Sequence, residues 1–497
     1  MRTTSVWSGT ARESRFAALS RDTDADVVIV GGGITGITTA ALLADAGRRV
    51  VVLEAFTVGS GATGNSTGNL YATVSSGLSD VERKWDKDVA RAVARSRSEA
   101  VDFIERTADR LRIDCQYARQ PMHLYATDDK EQAVLNDECN AAIRAGLSAS
   151  LIDDAPMPPV KPSGPVLRIE AQAQFHPLRY VQGLANAIAS PSCSIFENSA
   201  ATEIDVGKHE VRTAHGRVTA AEIVLATHTP KGIFAVQAEM TNHREYGVAF
   251  DAAPGAVPPG IYWGSGDPDH SIRMLDVEAR SYAIVVGPEY AVGAHDATGA
   301  LRQLEQFTAR TFNGANVVYR WSAQNHRGSD LLPYIGRTRG SDAFVATGFG
   351  TDGLTFGSLA AHIIADEILR RANAWARVYD AKRFHPAKEA SGFLRANVQV
   401  AKGLLARLKS AKTVTLDAIA VGSGRIIEYD GEKVAVSRGE DGELALVSPV
   451  CTHLGCEVAW NAVEQTWDCP CHASRFAADG TPLEGPALAP LARVNED

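Results

Sequence analysis

DVVIVGGGITGITTAALLADAGRRVVVLE, residues 26–54, decides the fold class. Asp26 to Val30 is a β-branched run of the kind that fills a parallel strand covered on both faces. GGGITG follows and fits G-x-G-x-x-G with Gly31, Gly33 and Gly36. Ile37 to Ala46 reads as a helix, Gly47 stops it, and Val50 to Leu53 forms a second strand ending on Glu54. Gly31 permits the tight turn, Gly33 lets the backbone approach a pyrophosphate, and Gly36 lets the helix pack close to the strand. Ile34 and Thr35 are read as cofactor-binding residues of this loop, and the N-terminus of the helix that follows offers free N–H groups and a partial positive charge to phosphate. Glu54 lies 18 residues after Gly36, where it can accept from a ribose hydroxyl. An acid there argues against a 2′-phosphate and so against NADP. Glycine loops also serve plain turns; the register of strand, loop, helix, strand and acid makes a Rossmann-like α/β dinucleotide site the expectation. The motif alone does not separate FAD from NAD.

Two further stretches extend the pattern. Gly59 to Leu70 reads GSGATGNSTGNL, and Phe344 to Gly357 reads FVATGFGTDGLTFG, preceded by DLLPYIG at Asp330 to Gly336. With the fingerprint, these resemble the D-amino-acid oxidase, glycine oxidase and sarcosine oxidase superfamily of flavoproteins. The resemblance implies FAD held by Gly61, Thr63, Ser66, Thr67, Gly68, Asn69, Ala201, Ala226, Thr227, Gly348, Gly350, Thr351, Gly353, Leu354 and Thr355. A helix opening after Thr355 would aim its dipole at the flavin. No cysteine or histidine falls between Asp330 and Ala360, which points to non-covalent FAD. The superfamily builds its flavin domain from separated pieces. The expectation is an oxidoreductase unit over 26–380, with FAD-binding segments at 26–99, 171–234 and 319–371. An interleaved α+β substrate domain then takes 100–170 and 235–318. IVLATH at Ile223 to His228 fits a strand of the flavin layer, and Tyr246 to Phe250 and Tyr282 to Val286 read as strands of the other.

Seven cysteines are too few for a disulfide scaffold in 497 residues. Cys115, Cys139 and Cys193 are scattered and read as buried small hydrophobes. The other four form two boxes, Cys451-Thr-His453-Leu-Gly-Cys456 and Cys469-Pro-Cys471-His472. Mixed Cys and His invite a metal, and tetrahedral zinc also takes two of each. The spacing C-x-H, fifteen residues, C-x-x-H, with WDCPCHASRF and the later Gly485 to Ala487, resembles the Rieske family. That resemblance implies a [2Fe–2S] cluster held by Cys451, His453, Cys469 and His472, and a disulfide between Cys456 and Cys471. It also implies a small all-β domain over 414–497 with the cluster loops at its tip. Ala473 stands where glycine is usual, a departure expected to reshape the loop. Rieske potentials span roughly −150 to +300 mV, so the cluster suits reduced flavin as a one-electron acceptor. Residues 384–413 read as a linking helix, with Val398, Val400, Leu404, Leu405 and Leu408 on one face beside Lys402, Arg407, Lys409 and Lys412. A basic amphipathic helix can lie on anionic membrane; packing on the flavin domain is the preferred reading.

The rest of the chain sets limits. A net charge of −9 without a basic run argues against a nucleic-acid partner. No apolar run spans a membrane, and Met1 to Asp26 lacks a signal-type core, so a cytoplasmic protein is expected. The combination, together with Ser5 to Trp7 (SVW) and Tyr319 to Gln324 (YRWSAQ), resembles bacterial flavoproteins that join a glycine/D-amino-acid oxidase module to a Rieske domain. It implies oxidation of the C–N bond of an amine or amino acid, with electrons passing from FAD through the cluster to an unidentified acceptor. Tyr246, Arg273 and Arg327 are the chosen pocket residues, beside Trp263 and His270; an arginine can clamp a carboxylate. An oxygen-using oxidase with a structural Rieske domain, a reductase feeding a separate oxygenase, a redox sensor, and homo-oligomerisation all stay open.

Overall fold

The computed structural model describes residues 3–265, 270–293, 297–385, 398 and 400–494. Strand Thr23–Val30 is flanked in parallel by Val50–Leu53 and Gly216–Leu225. Cys193–Phe196 and Phe344–Thr347 extend the parallel sheet on either side, and Tyr334–Arg337 closes one edge antiparallel. Val27 to Val30 and Val50 to Leu53 are buried on both faces, as their β-branched runs require. Helices Ile34–Asp45 and Gly353–Ile368 cover one face through Ile37, Leu43, Ile363 and Ile364. Each such side chain contributes about 1.5–3 kcal/mol of burial. A Cβ on Gly36 would lie 1.9 Å from the Gly31 carbonyl oxygen, so only glycine lets this helix sit so near its strand. The parallel strands therefore end together at one edge, where folds of this class place ligands.

A second sheet of nine strands stands beside the first. Its path runs Val317–Gly328, Met240–Asp251, Arg280–Ala291, Ser271–Val277, Ile261–Ser265, Ala118–Ala126, Val166–Gln174 and Asn69–Leu70, with Ala149–Ile152 alongside. The C-terminal part forms two four-stranded sheets. One is Lys412–Thr413, Gly424–Tyr429, Glu432–Arg438 and Leu444–Val447; the other is Ala459–Asn461, Thr466–Asp468, Arg475–Ala477 and Pro482–Glu484. The loops carrying the two cysteine boxes lie between and beside these strands.

Several expectations are corrected. Residues 319–328 and 172–174, expected in FAD-binding segments, lie in strands of the second sheet and pair with neighbours there. The late helix begins at Gly353, not after Thr355. The continuous helix over 384–413 does not form: Phe384 and His385 are not helical, helix occupies 398 and 400–406, and Lys412–Thr413 is a strand pairing in parallel with Gly424–Tyr429. Residues 386–397 lie outside the described residues. The helix packs on the C-terminal domain, with Val400 against the core that holds Cys456 and Cys471. Leu405 and Leu408 are exposed. Cys115, Cys139 and Cys193 are buried. Among the described residues, no helix is long and apolar enough to cross a membrane.

Candidate active site and metal centre

A cavity opens at the C-terminal edge of the parallel strands. Of the residues expected to hold the dinucleotide, Gly31, Gly33, Ile34, Thr35, Glu54, Gly61, Thr63, Ser66, Thr67, Ala201, Ala226, Thr227, Gly350, Thr351, Gly353 and Leu354 line it. Five stand behind it. Gly36 packs under Gly31, and Gly348 turns the chain at φ +79° against the Tyr334 ring. Gly68, at φ +73°, faces Trp7 and Arg273. Asn69 donates to the Tyr71 hydroxyl at 2.7 Å, and Thr355 accepts from the Tyr71 N–H at 3.2 Å.

The cavity suits an anionic, planar cofactor. Helices Ile34–Asp45 and Gly353–Ile368 both start at it, and neither N-cap residue, Gly33 or Asp352, caps its helix with a side chain; Thr63 Oγ1 accepts from the Ile34 N–H at 3.0 Å. Helices Lys87–Leu111 and Asp129–Arg144, away from it, are capped by Asp86 and Asp128. The two cavity-facing ends thus keep backbone donors for a ligand. Glu54 accepts from Gly32 N–H at 2.7 Å and from Phe56 N–H at 2.9 Å, which fixes its carboxylate and leaves lone pairs toward the cavity. Burial raises its pKa, and Lys231 on the same wall opposes that. The glycine-rich loop is braced from afar: Ser5 Oγ donates to Gly64 O at 2.6 Å, Trp7 Nε1 to Ser66 O at 2.7 Å, and Trp321 Nε1 to Asn65 O at 3.0 Å.

At the C-terminal domain's tip, Cys451 and Cys469 are buried free thiols. The rings of His453 and His472 lie 4.8 Å apart, nearly perpendicular. Both Nδ1 atoms are buried without a hydrogen-bond partner. His453 Nε2 meets Gln237 Oε1 at 3.2 Å, so its proton sits on Nε2 and the Nδ1 lone pair is bare. Burial holds both imidazoles down to about 4, neutral and ready to ligate. Two thiols and two bare imidazole nitrogens are the donor set a Rieske cluster needs. Cys456 and Cys471 form a disulfide, with Cα atoms 6.5 Å apart. Ala473 adopts φ +61°, a left-handed conformation that glycine takes freely and alanine only at a cost in strain.

The FAD dependent oxidoreductase family model matches residues 26–367. The chain belongs to that family. A Rieske [2Fe-2S] domain model matches residues 413–495, so this oxidoreductase carries both FAD and a [2Fe–2S] cluster. It is 32% identical over 500 residues, 99% of this chain and 97% of the relative, to a Rieske 2Fe-2S iron-sulfur protein, YhfW, of Bacillus subtilis. It is 28% identical to gamma-glutamylputrescine oxidoreductase of Escherichia coli over 74% of this chain and 89% of that one. The glycine oxidase of Geobacillus kaustophilus superposes with a TM-score of 0.60 at 20% identity, covering 73% of this chain and all of that one, a likeness of fold.

The oxidoreductase has a second cavity beside the first. Tyr71, Met122, Leu124, Trp263, Glu138, Glu289 and Arg327 line it, and Glu245 and Thr351 line both cavities. Trp263 Nε1 donates to the Tyr71 hydroxyl. Of the expected pocket residues, Arg327 and Trp263 are present, and Arg327 pairs with Glu289 at 3.0 Å. Tyr246 is corrected: it is buried in the core behind the sheet, stacked on Tyr290. Arg273 is corrected too. It is buried and donates to the Gly68 carbonyl at 2.6 Å, and burial pulls its pKa down to about 9. His270 stacks on Phe307, away from both cavities.

The Rieske domain docks with its cluster loops toward the flavin cavity. Gln324 lines that cavity and donates to Ala473 O at 3.0 Å. Asn242 donates to Cys471 O at 3.1 Å and holds His326 Nδ1 at 2.7 Å through its Oδ1. A buried ionic seam ties the two parts: Arg244 meets Glu464 and Ser322, and Arg475 meets Glu464 at 2.7 Å, Asp468 at 3.3 Å and Glu484 at 3.0 Å. His228 and His326 also line the flavin cavity, from outside the window that held no histidine. Sequence reasoning missed Gln324, His326, Glu245 and Glu289. One signal was there for the first two: Gln324 to Arg327 puts four polar residues in a row inside a strand, and buried polar groups need partners.

Proposed function

We propose that this enzyme oxidises the C–N bond of an amine in the second cavity and sends the electrons, one at a time, through the Rieske cluster to an external acceptor. FAD supplies hydride acceptance and the cluster supplies one-electron transfer. The observation that carries the reading is Gln324, one residue that both lines the flavin cavity and holds the carbonyl next to cluster ligand His472. His326 and Asn242 make a second such link. With Gln324 bridging the cavity wall and the cluster loop, transfer requires no large movement.

The protein's own part is placement. Glu245 and Thr351, common to both cavities, mark where the substrate carbon meets the cofactor. Tyr71 and Trp263 give the amine an aromatic wall. Arg327 carries its own counter-ion in Glu289, so the cavity offers no uncompensated cation to a carboxylate. That favours amines lacking a carboxylate beside the reacting carbon. The name of the E. coli relative agrees with amine chemistry.

The test is His453→Ala, assayed with added FAD. Substrate should still bleach the flavin at near the parent rate, while turnover with a one-electron acceptor falls at least about tenfold, the cluster having lost a ligand. Unchanged turnover in the cluster-free variant overturns the relay and leaves an oxygen-using oxidase.

A further inference from the structure

The flavin cavity is not walled by the flavin module alone. Leu483, Glu484 and Gly485, all from the Rieske domain, line the same cavity as Gly31, Gly33 and Glu54. Gly485 sits on Lys231, where an added Cβ would lie 3.2 Å from the lysine Cγ, and Gly232 N–H donates to Pro486 O at 2.9 Å. Glu484 accepts from Arg475 through Oε1 at 3.0 Å; its Oε2 is buried and has no partner.

This turn is wired to the cluster. Strand Pro482–Glu484 pairs with Arg475–Ala477, which leaves directly from the loop of Cys469 and His472. Ala487 N–H donates to Ser474 Oγ at 3.1 Å, and Cys469 N–H to Ser474 O at 2.8 Å. Phe476 and Ala487 lie in one core with Cys451, Cys456, Cys469 and Cys471. Whatever orders the cluster loop therefore orders the turn at the flavin wall.

We propose that the Rieske domain is part of the FAD-binding site, and that the two cofactors bind cooperatively through the strand pair Arg475–Ala477 and Pro482–Glu484. Cluster-loaded protein holds FAD more tightly than cluster-free protein, and by linkage FAD favours the loaded cluster. One consequence is protective: a chain that loses its cluster also tends to lose its flavin, and does not persist as an enzyme that can reduce flavin but has no cluster to receive the electrons. The inference needs only the two cofactors, not the electron route, so it stands or falls apart from the proposed function.

The experiment is a titration of full-length, FAD-stripped protein with FAD, followed by quenching of flavin fluorescence. Three samples are compared: parent with cluster, parent grown under iron chelation without cluster, and Leu483→Ala with its cluster verified by visible circular dichroism. Cluster-free protein should bind FAD about tenfold more weakly, within the usual range of coupling between sites. Leu483→Ala should weaken FAD about fivefold with the cluster signal unchanged. If Leu483→Ala loses the cluster, Glu484→Gln, which keeps the volume, takes its place with the same expected shift. Equal FAD affinity with and without the cluster overturns the coupling. Parent-like affinity in the cluster-bearing variant overturns the assignment of this turn to the site.

Discussion

The flavin fingerprint and the second cavity sit side by side but are built differently. The fingerprint takes strand, loop, helix, strand and acid from 29 consecutive residues, 26–54. The second cavity takes Tyr71 after the glycine loop, Met122 and Trp263 from neighbouring strands, and Glu245, Glu289 and Arg327 from three more. In the first, each residue's task follows from its neighbours in sequence. In the second, partners such as Glu289 and Arg327 meet only because their strands both pair with Met240–Asp251. Local chemistry is thus fixed by spacing, whereas charge balance in a pocket is fixed by topology.

The largest effect should come from breaking the local region. Gly36→Val places atoms where the Gly31 carbonyl lies, 1.9 Å from the first added carbon. The clash is with backbone rather than the end of a flexible side chain, so the helix itself must move off the strand. Purified protein should carry no flavin absorbance; a yellow variant at parental stoichiometry would show that the helix can shift. The seam between the modules comes next. Arg244→Met leaves Glu464 and Asp468 short of a buried cation, and removing one partner from such a network costs about 3–5 kcal/mol. The Rieske domain should melt separately and earlier in calorimetry, and a single unshifted transition would contradict the seam's role.

Changes in the second cavity should be smaller and selective. Glu289→Gln frees the charge of Arg327, so kcat/KM for a carboxylate-bearing amine should rise relative to a plain amine by about tenfold, the scale of one charge-assisted pair. No change in that ratio would mean Arg327 does not face substrate. The least perturbing check is acid precipitation, which should release all flavin into the supernatant. Flavin kept on the pellet would direct attention to His228 and His326, the two histidines on the cavity wall.

Much was legible beforehand because its signals are short-range. The fingerprint, the thiols and imidazoles of the cluster, and the Cys456–Cys471 pairing all lie within a few dozen residues of chain or follow a family spacing. Tyr246 and Arg273 misled because an aromatic or arginine in a strand looks the same whether it faces a pocket or a core; the period-2 pleat sets the face, and its phase depends on pairing. The SVW and YRWSAQ stretches were visible only as a likeness. Their physical content is now evident: Ser5, Trp7 and Trp321 brace the glycine loop, while Ser322 and Gln324 hold the Rieske domain. Of the linking segment's apolar residues, Val400 packs on the disulfide-bearing core, while Leu404, Leu405 and Leu408 are exposed.

The relay between cofactors is tested most directly by counting electrons. FAD accepts two and a Rieske cluster one, so a connected chain stores three. Anaerobic titration with a two-electron amine substrate, watching flavin and cluster bands together, should reach its end point at about 1.5 equivalents per chain, with the cluster bleached. An end point at about 1.0 equivalent, with the flavin reduced and the cluster still oxidised, would contradict the account.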